Sequence, residues 1–181
     1  MGRVHEGIDD RLACWLAAQP VFFVATAPVG QDGHVNLSPK GVAGTFSVLG
    51  PRRVAYLDLT GSGAETIAHL RENGRITIMC CAFDGPPRIV RIYGRGLAVL
   101  PGDPGFADLV ELFPAKDGTR SVIVVEVDRV ADSCGYAVPR LTFDAQRDNL
   151  DRWTAMKTAA ELVAYRADKN AVSIDGLPAL P

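Results

Sequence analysis

Between two apolar segments lies Thr60-Gly61-Ser62-Gly63-Ala64-Glu65. Glycines let backbone N–H groups approach an anion closely, and a helix opening just beyond them adds a positive dipole end. Ser62 followed three residues later by Glu65 has capping-box spacing, which predicts a helix starting near Gly63. That helix carries Ile67 and Leu70 and stops at Asn73-Gly74, where glycine supplies the left-handed residue. The chemistry on offer is phosphate binding; a tight strand-to-helix connection without a ligand uses the same residues. A second set, Asn36, Ser38 and Lys40, alternates along VNLSPKG and so shares one strand face.

Other chemistries find less support. Ser62 lacks the G-x-S-x-G setting of a hydrolase nucleophile. His5, His34 and His69 are scattered, so no metal site is expected. His69 reads as a helix-surface or partly packed residue, with haem ligation as its chemical alternative. Cys14, Cys80, Cys81 and Cys134 form no C-x-x-C pair, and adjacent Cys80 and Cys81 point to opposite faces of a strand. They read as buried small hydrophobes in a reducing compartment.

The elements that must position these residues follow from periodicity. Residues 6–18 predict a helix with Ile8, Leu12, Trp15 and Leu16 on one face, ended by Pro20. VFFVATAPV and HVNLSPKG form a hairpin around Gly30-Gln31-Asp32-Gly33. Further strands are expected near Thr45–Leu49 and in RRVAYLDL, RITIMCCAF, RIVRIYGRGLAVL and SVIVVEVDRVADSC. Gly94 and Gly96 mark a bend or bulge. A short helix is expected in PGDPGFADLVELFP, a longer helical region over about 146–167, and a Pro-rich tail along a surface. Short strands joined by turns predict a mainly antiparallel, closed or partly closed barrel of about six strands.

The 181 residues fit one domain, 1–181, with a barrel core over about 20–135 and a helical extension over about 140–181. A formal net charge of −2 gives no general attraction to nucleic acid or anionic membranes. No apolar run approaches the roughly 20 residues of a membrane helix, and no secretory signal pattern opens the chain, so a cytoplasmic protein is expected.

Together, VNLSPKG, YLDLTGSGAETIAHLRENGRITI and RIVRIYGRGLAVL resemble the pyridoxamine 5'-phosphate oxidase-like flavin-binding split barrels over about residues 10–135. The resemblance implies a mainly β fold with flanking helices, built on a six-stranded antiparallel split β-barrel. It also implies a homodimer with FMN in grooves at the interface, or a deazaflavin or haem in its place, and a small-molecule substrate entering on the open side of the flavin. By position, Gly61, Ser62 and Gly63 match the phosphate turn, and Lys40 a basic strand residue that meets the phosphate. Asp58 and Thr60 fall where the family offers groups to the flavin or its ribityl chain, and Asn36 and Ser38 would face the same groove. The chain departs from the pattern at Gly63 and Ala64, where tight FMN binders carry an Arg-Lys pair. Arg88, Arg91 or Arg95 could compensate. The expected activity is a flavin-dependent oxidoreductase without vitamin B6 oxidation; the alternatives are a haem- or deazaflavin-binding protein and a cofactor-free scaffold. Dimerisation is also expected from Leu150, Trp153, Met156, Leu162 and Val163, an apolar set on the C-terminal helical region.

Overall fold

A computed structural model describes residues 2–181. The elements, in chain order, are β1 (Val4–His5), α1 (Asp10–Ala17), β2 (Phe22–Thr26), β3 (Asn36–Lys40), β4 (Phe46–Gly50), β5 (Arg53–Leu59) and α2 (Glu65–Asn73). They continue with β6 (Arg75–Cys81), β7 (Ile89–Val99), α3 (Phe106–Val110), β8 (Thr119–Ser133), α4 (Asn149–Ala155) and α5 (Ala159–Lys169). The strands form one antiparallel sheet in the order β3-β2-β6-β7-β8-β5-β4, with β1 added to β8. The eight strands exceed the expected six, and β1 lies in a segment with no strand pattern.

Neither β3 nor β4 is laddered to the opposite end of this order, so the barrel is split. Lys40 of β3 reaches across to Asp58 of β5 at 3.3 Å. Side chains rather than backbone ladders therefore hold the two sides of the split at this point.

Alternation along β5 explains the double burial of its strand. Val54 and Tyr56 enter the main core with Val24, Ile78, Ile92 and Ile123, all fully buried. Ala55 and Leu57 point the other way, into a second cluster with Val99, Phe113, Val122 and Val124 that α3 covers. The neighbouring β8 is likewise buried on both faces over Ser121–Val125, an almost continuous apolar run as such a strand needs. Burying one such large side chain contributes about 1.5–3 kcal/mol.

Gly94 sits at the register shift between β7 and β8, and a Cβ there would lie 2.2 Å from the Glu126 carbonyl oxygen. It is the bulge the sequence marks, with a backbone approach only glycine allows. Gly74 ends α2 in the left-handed conformation, φ 69°, as its sequence predicts.

The start of α2 is a correction. The helix begins at Glu65 after Ala64, with no side-chain cap, so the Ser62–Glu65 capping box does not form. Long-range bonds hold the preceding turn: Asn170 donates to the Gly61 carbonyl and Arg120 to the Gly63 carbonyl. Glu65 accepts instead from the Ile174 N–H at 3.3 Å. A capping box forms at Thr158 and Glu161, at the start of α5, and splits the expected helix over 146–167 into α4 and α5.

The tail lies along the surface as expected, with Ser173 and Ala179 tucked in and Val172 and Ile174 exposed. One further expectation changes. Of the cysteines, Cys80 and Cys81 are buried, with burial pushing the Cys80 thiol up to about 12, whereas Cys14 and Cys134 are exposed. Among the described residues, no helix is long and apolar enough to cross a membrane.

Candidate functional site

β3 is an edge strand whose side chains separate by face. Val35 and Leu37 on and beside it are exposed, while Asn36, Ser38 and Lys40 are half-buried on the other face. Ser38 Oγ donates to Asn36 Oδ1 at 2.8 Å, and Asn36 Nδ2 donates to Thr26 and Thr66, each at 3.0 Å. Thr26 Oγ1 lies 2.9 Å from His69 Nδ1. A line of polar groups thus runs from the Ser38 hydroxyl to the interior face of α2.

His69 corrects the surface or partly packed expectation. It is fully buried, and its Nε2 has no hydrogen-bond partner among the described residues. Burial lowers its pKa against the opposing pull of Asp175, Glu65 and Glu72. Enclosure of the whole ring, with Nδ1 engaged by Thr26, argues against its service as a haem ligand.

Across the split stands Asp58, 1% exposed. Its Oδ1 faces Lys40 Nζ at 3.3 Å, while its Oδ2 accepts from Arg120 Nε at 2.8 Å and Ser121 Oγ at 3.1 Å. Burial pushes this carboxyl upward, but Arg120 and Lys40 outweigh it and hold the group below the usual carboxylate range. Arg120 is itself buried and reaches on to the Gly63 carbonyl at 2.8 Å and Asn170 Oδ1 at 3.0 Å.

The turn follows immediately. Thr60 is buried, donating to the Gly118 carbonyl at 2.7 Å and accepting from Arg166 Nε at 2.9 Å. Gly61, Ser62 and Gly63 are exposed, and nothing lies within 4 Å of a Cβ built on Gly61. The structure therefore joins Lys40, Asp58 and the turn through Arg120, with Asn36 and Ser38 farther along the β3 face.

Sequence reasoning missed Arg120, Arg166 and Asn170. Arg120 had a local signal, a charge at the head of an apolar strand; Arg166 and Asn170 had none, because they reach the turn from α5 and its end. The alternatives Arg88, Arg91 and Arg95 are engaged elsewhere, with Asp132, Ser133 and the Asn73 carbonyl respectively.

Lys40 also lines a cavity of about 1040 Å³. Phe22, Phe46, Phe83, Leu141 and Phe143 supply much of its apolar wall. Such a space, with a cation at its margin, suits a flat ring system bearing polar groups. Among the described residues, no group of three His, Cys, Asp or Glu could hold a metal ion.

Two solved structures of Group A Streptococcus HupZ share the fold. One aligns with TM-score 0.53 at 16% identity, covering 70% of this chain and 99% of that one; the other with TM-score 0.51 at 17% identity, covering 68% and 91%. The pyridoxamine 5'-phosphate oxidase family protein ustO of Aspergillus flavus is 41% identical over 192 residues, 97% of this chain and 77% of that protein. The sequence profile of the pyridoxamine 5'-phosphate oxidase family matches residues 8–134, which hold β2 through β8 and with them the β3 face, Asp58, Arg120 and the turn. With that match and that relative, the chain belongs to the pyridoxamine 5'-phosphate oxidase family.

Proposed function

We propose that this protein is an FMN-binding oxidoreductase acting on a small molecule, working as a homodimer with the cofactor at the interface. One observation carries the reading: at the split, the buried Asp58 carboxylate is faced by both Lys40 and Arg120, beside an open Gly-Ser-Gly turn. That donor set fits a phosphate-bearing cofactor, because charge-assisted hydrogen bonds are the strong ones.

Lys40 and the Ser62 turn would hold the phosphate end. Asn36 and Ser38 would offer amide and hydroxyl groups to the polar edges of the flavin. Asp58 fixes Lys40 and Arg120 in place. The Phe-lined cavity beside Lys40 would seat the ring and admit the substrate. When bound, FMN supplies the hydride or electron transfer, and the chain supplies binding, orientation and electrostatics.

The dimer reading draws on exposed apolar side chains. Met156 and Val163 on the C-terminal helical region are exposed, as are Leu141 and Phe143 in the preceding segment. Trp153 instead packs on Tyr165, ring centroids 5.0 Å apart. Sedimentation equilibrium at micromolar concentration should return twice the chain mass; the monomer mass would overturn this part.

The test of the cofactor is an absorption spectrum of the purified protein followed through titration with FMN. Saturable uptake, weakened by Lys40→Ala combined with Ser62→Ala, is expected. A Soret band, or uptake of a deazaflavin but not FMN, would replace FMN as the ligand; uptake of none would leave the cofactor-free scaffold.

A further inference from the structure

We propose that Arg166, on α5 and outside the stretch matched by the family profile, completes a subsite for a phosphate monoester at the Gly61-Ser62-Gly63 turn. The identity of that monoester as the flavin phosphate rests on the preceding reading; the subsite does not.

Charge is the first argument. Arg166 is half-buried, and its hydrogen bonds go to neutral oxygens: Thr60 Oγ1 at 2.9 Å and the Thr119 carbonyl at 3.0 Å. Among the described residues it makes no ion pair, and Arg120 stands close enough to oppose its charge. Burial, then Arg120, lowers its pKa, with Asp58 pulling the other way. Lys40 and Arg120 pair with Asp58, Arg166 stands beside them on Thr60, and the Glu65 carboxylate lies against Gly63 of the turn, so three positive charges meet two negative ones and one is left over. A phosphate monoester brings about −1.5 to −2 at neutral pH.

Placement is the second. Fully buried Asn170 accepts from Arg120 at 3.0 Å and donates to the Gly61 carbonyl at 2.9 Å. It pins the end of α5 to the turn, and Arg166, one helical turn earlier, is thereby held on Thr60. The Ser62 hydroxyl is exposed and makes no hydrogen bond among the described residues, and the space beside Gly61 is open. Gly63 and Ala64 bring no cation to this turn from within its own segment. α5 brings one from the opposite direction in the chain.

The experiment measures FMN and riboflavin binding by quenching of flavin fluorescence, for the full chain and for Arg166→Gln and Arg166→Lys. The two ligands differ only in the phosphate. The unchanged protein should prefer FMN, and Arg166→Gln should weaken FMN by about 10- to 100-fold while riboflavin binding stays constant. Arg166→Lys keeps the charge without the planar fork and should lose less. Equal losses for both flavins would reduce Arg166 to a structural role, and an undiminished FMN affinity would overturn the subsite. If the unchanged protein takes up neither flavin, the flavin reading fails, and inorganic phosphate decides the subsite. A thermal midpoint raised by phosphate in the unchanged protein but not in Arg166→Gln supports it; an equal shift, or none, overturns it.

Discussion

Two aspartates collect basic residues in this molecule, with opposite results. Asp132, on β8, accepts from the Arg3 N–H and meets His5 and Arg88, each at 3.0 Å; its side chain is 21% exposed. Arg88 also lies over the Trp15 ring, 5.0 Å from its centroid. The result is a clamp that fastens the N-terminal segment, β1 and α1 to the barrel. Asp58 meets Lys40 and Arg120 with its side chain 1% exposed, and Arg166 stands in the same cluster. Water screens the first cluster and leaves it with little to offer a ligand. In the second, Asp58 and Arg120 are cut off from water, with side chains 1% and 4% exposed, and Arg166 stands at the margin beside the turn. Similar residue types thus make a fastening in one place and a candidate binding site in the other, and the dielectric decides which.

The largest break in this comparison is expected from the carboxylates themselves. Asp58→Ala leaves the buried Arg120 guanidinium without its counter-charge and should destabilise by about 3–5 kcal/mol. Asp132→Ala removes a partly exposed partner and should cost about 1 kcal/mol or less. Urea unfolding of both variants checks the gap; equal losses would show that the two clusters share one dielectric.

Acid should separate them next. The Asp58 carboxyl lies below its ordinary value in the folded chain, so the unfolded chain takes up the proton first. Its contribution is fully present above the usual carboxylate pKa of about 4 and is lost as pH falls through the folded value. In Asp58→Asn the acid limb of stability against pH should therefore be shallower.

The histidines sharpen the contrast at milder pH. Buried His69 has a lowered pKa, so the unfolded chain protonates it first and stability falls as pH drops below about 6.5. Thermal midpoints at pH 7 and pH 5.5 should show this drop, and His69→Asn should reduce it. An unchanged drop would place its origin elsewhere. The smallest effect is expected at His5, whose replacement by Ala removes one contact from the outer clamp and should cost under about 1 kcal/mol.

How much of this was legible can be judged from two matching tetrapeptides. Ser62–Glu65 and Thr158–Glu161 carry the same capping signal. At Thr158 nothing competes, and the box closes, with the Glu161 N–H donating to Thr158 Oγ1 at 3.2 Å. At Ser62 the carbonyls of Gly61 and Gly63 are claimed by Asn170 and Arg120, the carboxylate of Glu65 is engaged by Ile174, and the helix starts later. The local signal was equal, and distant residues decided between the two.

The amino-acid sequence by itself determined the strands β2 to β8, the shared face of Asn36, Ser38 and Lys40, the glycine that ends α2 and the bulge at Gly94. These depend on period-two alternation and on backbone freedom, both properties of neighbouring residues. Only the tertiary structure decided that Lys40 meets Asp58 across the split, that Arg120 turns back to the Gly63 carbonyl, and that α5 delivers Arg166 and Asn170 to the turn. Those contacts join residues 18, 57, 106 and 109 positions apart, where no local periodicity operates and only the closure of the barrel and the docking of α5 bring donor to acceptor.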